Sequence, residues 1–225
     1  MWSTTPGERS MLASIVRAIA APRVLEIGAF RGETTRVLAE AAASRGGRVV
    51  VIDPMRWAAE LVTNGLTRHL PDSLAGYFEP LTTWLGPASY EQSFWRNVGA
   101  HARSVQLFRA LSTDSALLES PAPELQSFDV VFIDGDHSHA GALHDLERWG
   151  ARAVPGGTVA VHDAVRRFPG VCAALGEFSR AHQVLVDMPA EDSLALIRVI
   201  RPFVRSRVSV RERPTAPLDR PRPPD

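Results

Sequence analysis

Between residues 23 and 200, short β-branched runs alternate with longer stretches of helical spacing, and the strongest runs end in glycine or polar residues. Runs that are apolar throughout suit strands covered on both faces, so this rhythm predicts a parallel sheet between layers of helices. Strands are expected at 24–27, 48–52, 104–109, 128–133, 158–161, 183–187 and 193–199. Helices are expected at 34–43, 113–120, 138–154 and 171–182, with Pro155-Gly156-Gly157 turning the chain from the third of these into its strand. Residues 54–102 form an insert far longer than one crossover helix requires. It carries Trp57, Trp84 and Trp95 and is expected to be helical, serving either as packing over the sheet edge or as a lid over a small-molecule site.

The chain has 225 residues, enough for one large core, and residues 1–200 are read as one domain. Lys+Arg 25 balances Asp+Glu 25, so there is no global basic field to draw in nucleic acid. All 25 basic residues are Arg, which excludes Schiff-base and lysine-base chemistry. The balance is uneven along the chain. Residues 201–225 are proline-rich and hold seven Arg against three acids, a basic tail expected to be disordered from about 211, while the body is mildly acidic. A single cysteine, Cys172, permits no internal disulfide and makes a reducing cytoplasm the expected compartment. The apolar stretch 11–21 is short and broken by Arg17, so it reads as an amphipathic helix and neither a signal peptide nor a membrane span.

The first strand leads into Glu26-Ile27-Gly28-Ala29-Phe30-Arg31-Gly32 and then a helix. A strand, a glycine loop and a helix N-terminus make a site for a nucleotide-like ligand, although a bare tight turn would carry the same letters. The second strand ends in Asp53, where a carboxylate can accept from both hydroxyls of a ribose. The loop lacks the middle glycine of a pyrophosphate cradle, and Glu26 beside it suits a cationic ligand. These residues resemble the class I S-adenosylmethionine-dependent methyltransferases. The resemblance spans about residues 23–200 and implies a Rossmann-like, three-layer α/β/α fold whose seven-stranded sheet is parallel except for its last strand. It also implies that Gly28, Ala29 and Gly32 line the methionine moiety, that Glu26 orients the loop and the amino group, and that Asp53 holds the ribose. Ser112 falls on the adenine side by the same likeness, or caps the next helix.

The strand at 128–133 runs out into Asp134-Gly135-Asp136-His137-Ser138-His139, and the next strand into His162-Asp163. Adjacent parallel strands lie about 4.8 Å apart, so Asp134 and Asp163 can converge on one hard divalent cation such as Mg²⁺, or each can cap a turn. Methyl transfer to a hydroxyl needs a base or a metal to activate the oxygen. The pattern F-I-D-G-D-H-S, a helix, P-G-G and H-D resembles the small bacterial metal-dependent O-methyltransferases of sugars and polyketides and the cephalosporin-hydroxylase-like proteins grouped with them. That likeness implies metal ligands at Asp134 and Asp163 and a catalytic base at His137; His162 is taken as a third candidate ligand and Asp134 also as a cofactor contact. His162 departs from the second acid common in those relatives.

The function expected is therefore methyl transfer to a hydroxyl of a small molecule, with no nucleic-acid or membrane partner. The N-terminal helix and the insert are candidates for a homodimer interface. A nicotinamide-dependent oxidoreductase shares the loop and Asp53 but lacks here the middle glycine and any lysine for a Tyr-x-x-x-Lys pair. A non-catalytic cofactor-binding protein is the third alternative, and it would leave Asp134, His137 and Asp163 pointing apart.

Overall fold

The computed structural model describes residues 4–55, 87–189 and 193–203. They form α1 (Pro6–Arg17), β1 (Arg23–Ile27), α2 (Glu33–Ala43), β2 (Arg48–Ile52), α3 (Pro87–Val98), β3 (Val105–Phe108), α4 (Ser115–Leu118), β4 (Phe128–Ile133), α5 (His139–Arg148), β5 (Ala153–Val161), α6 (Pro169–His182) and β6 (Ala195–Arg198). The sheet order is β3-β2-β1-β4-β5-β6, parallel except for the antiparallel β5–β6 pair.

Strand alternation sorts the core into two layers. Leu25, Ile27, Val50, Ile52, Val131 and Ile133 face α5 and α6, where Leu146, Trp149 and Phe178 are fully buried. Val24, Val49, Val51, Val130 and Phe132 face α1, α2 and α3, meeting Leu12, Val16, Leu38, Phe94 and Val98. This is the Rossmann-like α/β/α sandwich expected, with six strands in the sheet. The strand expected at 183–187 is reduced to one bridge, Asp187 to Leu196. Gln183 takes a left-handed conformation at the end of α6, and the segment after it packs Val184 and Val186 against the core with Leu185 left 90 % exposed, yet it pairs with β6 only at Asp187.

Three boundaries differ from expectation. α1 begins at Pro6, before the apolar stretch, because Thr5 and Glu8 form a capping box around Pro6 at the first helical position. α5 ends at Arg148, because Trp149 turns into the core and donates from Nε1 to the Ser112 carbonyl at 2.8 Å. β5 then starts at Ala153, and the β4–β5 ladder steps from Phe128↔Ala153 to Val130↔Thr158, so Pro155-Gly156-Gly157 loops out within the strand. Of the insert, Pro87–Val98 is helical as expected. Trp57, Trp84 and the tail from 204 lie outside the described residues. Among the described residues no helix is long and apolar enough to cross a membrane.

Trp149 is 0 % exposed and fixes α5 to the loop after β3. Trp149→Ala is expected to cost about 3–5 kcal/mol. Trp149→Phe, which keeps most of the packing but loses the N–H, is expected to cost nearer 1 kcal/mol on the lost hydrogen bond. Urea unfolding of the two variants checks the order, and equal losses would contradict it.

Candidate active site

The strand order reverses between β1 and β4, which opens a crevice at their carboxyl ends. Gly28 makes this junction possible. At φ +80°, a Cβ there would lie 2.2 Å from the backbone oxygen of Asp134, so its absence lets the two strand ends touch. Gly32, at φ +79°, leaves room for the Phe94 ring of α3, whose atoms would come within 2.8 Å of a Cβ. Both glycines thus serve backbone and helix packing around the loop. Three non-glycine residues just past strand ends also adopt left-handed conformations: Phe30 after β1, Met55 after β2 and Asp163 after β5. Strained backbone gathered at one sheet edge marks a site whose side chains are aimed.

Asp53 is 6 % exposed and ties the loop to β2. It accepts from the amides of Ala29 at 2.8 Å, Phe30 at 3.2 Å and Met55 at 2.6 Å. Burial raises its pKa, and those amides oppose the shift. The Gly28 amide donates to Ile52 O and the Gly32 amide to Ala29 O. The amides of Gly28, Ala29, Phe30 and Gly32 are therefore spent inside the protein, and the loop offers none of them to a phosphate. α3 walls this side through Asn97, which donates to Arg31 O, and through Glu91, which pairs with Arg109 at the end of β3. A cavity of about 430 Å³ opens here, lined by Pro54, Met55, Glu91, Arg109, Leu111 and Asp114 among others.

Glu26 lies beneath the loop, 0 % exposed. Neither carboxylate oxygen has an aligned hydrogen bond, and the Thr35 hydroxyl comes near without closing one. Burial, with the added repulsion of Asp134 and Asp53, pushes its pKa up to about 8. Ser112 turns inward toward the buried Asp145 and its carbonyl holds Trp149, while Asp114 caps α4.

The third group is the convergence of Asp134, His137, His162 and Asp163. His162 Nδ1 lies 2.9 Å from Asp134 Oδ1 and 3.6 Å from Asp163 Oδ2. His137 Nε2 lies 3.0 Å from Asp163 Oδ2 and 3.7 Å from Asp134 Oδ1, contacts that leave this buried nitrogen without an aligned hydrogen bond. Asp134 and Asp163 lift the His137 pKa to about 9 against the effect of burial. Burial likewise opposes a charged His162, yet Asp134, Asp163 and Glu8 raise it to about 9. One ligand atom each from Asp134, His162 and Asp163 fall within 4.8 Å of one another. Two oxygens and an imidazole nitrogen so placed fit a divalent cation, with the His137 nitrogen beside them outside the ligand set. The side chains expected to converge do so.

Glu8 was not among the expected site residues, yet its Oε2 stands 3.3 Å from His162 Nε2. The Thr5-x-x-Glu8 capping box accounts for a glutamate there and gives no sign of this contact. His139 pairs with Glu177 at the surface, and Asp136 accepts from Ser138 in the turn before α5.

Residues 25–164 match the model of a methyltransferase domain family. The fold is similar to that of TomG, an O-methyltransferase from Streptomyces achromogenes solved with S-adenosylmethionine, at TM-score 0.59 and 18 % identity over 88 % of this chain and 82 % of that one. It is also similar to an O-methyltransferase from Bacillus cereus solved with S-adenosylhomocysteine, at TM-score 0.57 and 18 % identity over 88 % and 83 %. A TDP-rhamnose 3′-O-methyltransferase of calicheamicin biosynthesis aligns at TM-score 0.53 and 15 % identity over 85 % and 77 %. No curated protein matches the sequence.

Glu26 keeps its proton to about pH 8 when folded and loses it near 4.5 when unfolded. The folded state therefore binds the extra proton in this window, and the group's contribution to stability falls as pH rises through it. Glu26→Gln removes that slope. Its stability gain over the parent should grow from near zero at pH 4.5 to on the order of a few kcal/mol at pH 8. Unfolding curves across pH check this, and a difference independent of pH would contradict it.

Proposed function

The chain belongs to the methyltransferase domain family, and from that premise we propose that it is an S-adenosylmethionine-dependent O-methyltransferase acting on a hydroxyl of a small molecule. The observation that carries this reading is the gathering of carboxyl groups in the crevice. Glu26, Asp53, Asp134 and Asp163 gather where the loop amides are already satisfied internally. Such a site suits a sulfonium and an ammonium group, and it opposes the pyrophosphate of a nicotinamide dinucleotide.

When bound, S-adenosylmethionine supplies an electrophilic methyl carbon. In this reading Gly28, Ala29 and Gly32 shape the floor under its methionine end, and Glu26, neutral by itself at neutral pH, gives up its proton to become a buried counter-charge beside that cationic end. Asp53 fixes the loop amides and presents its remaining lone pair toward the ribose. The cavity between α3 and the end of β3 takes the adenine, and its lining residues Leu111 and Thr113 flank Ser112 in the chain.

Asp134, His162 and Asp163 would hold a divalent cation, which lowers the pKa of a hydroxyl oxygen next to it. His137 stands beside that cluster and takes the acceptor's proton at Nε2. It can do so only as the neutral imidazole. With the charge of Asp134 and Asp163 engaged by a cation, nothing in the cluster holds His137 protonated. The acceptor we favour is a hydroxylated sugar or an aromatic or polyketide metabolite, a class suggested by the names of the similar O-methyltransferases. A cytoplasmic enzyme fits the single cysteine.

Calorimetry with S-adenosylhomocysteine should give micromolar binding that Asp53→Ala largely abolishes, and no binding by the parent protein would overturn the proposal. His137→Asn should leave that binding intact while lowering methyl transfer to a panel of sugar and phenolic acceptors by about 10²–10⁴-fold. Transfer that survives this change at full rate would remove His137 from the base role.

A further inference from the structure

α1 buries one face against the sheet, and that face reads Glu8, Leu12, Ala13 and Val16. A carboxylate in an apolar stripe is costly unless donors surround it. Glu8 is 0 % exposed and fully supplied with them. Its Oε2 accepts from the Thr5 amide at 2.7 Å and faces His162 Nε2 at 3.3 Å. Its Oε1 accepts from the Ser193 amide at 2.8 Å and the Ser193 hydroxyl at 2.7 Å. The side chain is thus an anchor held at both oxygens.

Among the described residues, His162 joins this anchor to the crevice. The ring is 5 % exposed and meets Phe132 edge-on, with centroids 6.3 Å apart. Glu8 lies at Nε2, while Asp134 and Asp163 lie at Nδ1. A carboxylate behind a ring nitrogen retains the proton there and turns the other nitrogen's lone pair outward, the arrangement that orients histidine ligands in metal sites.

We propose that Glu8 is a positioning residue that holds His162 by Nε2 so that Nδ1 joins Asp134 and Asp163 in a mixed nitrogen–oxygen donor set, which takes a first-row transition ion such as Mn²⁺ or Co²⁺ in preference to Mg²⁺. The inference rests on the reading of this cluster as a divalent-cation site. Mg²⁺ favours oxygen ligands and gives up its water reluctantly, whereas imidazole suits first-row transition ions. The selectivity thus follows from the residue at 162. The negative charge that an acid would have supplied there comes instead from Glu8, one ring-width deeper in the protein.

The test uses the full chain, loaded with Mn²⁺ and followed by electron paramagnetic resonance, with Mg²⁺ affinity read by competition. The parent protein should bind Mn²⁺ at least about tenfold more tightly than Mg²⁺, and its spin-echo spectrum should show modulation from a ¹⁴N ligand. Glu8→Gln should weaken Mn²⁺ binding by about 10–100-fold, with S-adenosylhomocysteine affinity kept within about twofold as a check on folding. Ser193→Ala, which leaves the carboxylate but removes one of its donors, should shift Mn²⁺ affinity in the same direction by less. The double variant Glu8→Gln/His162→Asp, which avoids placing two acids together, should lose the nitrogen signal and most of the preference for Mn²⁺.

Equal affinity for the two ions in the parent protein, or bound Mn²⁺ without nitrogen modulation, would overturn the proposal while leaving a cation site in place. Unchanged Mn²⁺ affinity and spectrum in Glu8→Gln would reduce the Glu8 contact to a structural link between α1 and β5, again overturning it. Failure of the parent protein to bind any divalent ion would remove the cation site itself, and S-adenosylhomocysteine binding would then show whether the methyltransferase reading stands without it.

Discussion

The close approach of two strand ends governs this molecule. β1 and β4 pair in parallel with Ile27 opposite Ile133, and the chain then has to leave both strands at the same level. It can do so because Gly28 carries no side chain where the Asp134 carbonyl passes. A wider junction would move Asp134 away from both the loop and the β5 end, and the cluster with His162 and Asp163 would open with it. The backbone contact therefore sets the spacing of the acids, and the acids set the chemistry.

Gathering carboxylates at one sheet edge costs free energy, and the protein offsets the cost differently at each position. Asp53 is held by three amides, Glu8 by Thr5, Ser193 and His162, and Asp134 and Asp163 by the two imidazoles. Glu26 alone is left without an aligned partner and keeps its proton at neutral pH as a result. An unsatisfied buried carboxyl is the kind of local penalty that persists where a ligand later supplies the missing charge. On this view the most destabilising residue of the crevice is also the one that most favours a cationic cofactor.

The parts legible in the sequence are those in which a single residue type answers a local demand. The apolar runs at β1, β2 and β4, the glycines of the loop and the polar ends of β4 and β5 each state their role within a few residues, and the structure brings Asp134, His137, His162 and Asp163 together accordingly. What could not be read depends on contacts distant in the chain. The end of α5 is decided by Trp149 reaching Ser112, the start of β5 by a loop-out that pairing with β4 absorbs, and the reduction of strand 183–187 to one bridge follows a left-handed turn at Gln183. Glu8 was hidden for the same reason. A capping box explains a glutamate at that position completely, and nothing local announces that its far side meets His162.

That last contact changes what the N-terminal helix is for. The chain reaches His162 from Glu8 across 154 residues and reaches Ser193 from Glu8 across 185, so one carboxylate gathers the first helix, the fifth strand and the approach to the last strand. The same carboxylate closes the capping box, because Oε2 accepts the Thr5 amide while the Thr5 hydroxyl accepts the Glu8 amide at 3.1 Å. Fraying of the first turn of α1 would thus release the inner side of His162 without disturbing Asp134 or Asp163 directly. A helix that precedes the first strand thereby becomes part of what orients His162. The orientation of His162 is then set at the back of the ring, where an acceptor in the crevice cannot compete for it.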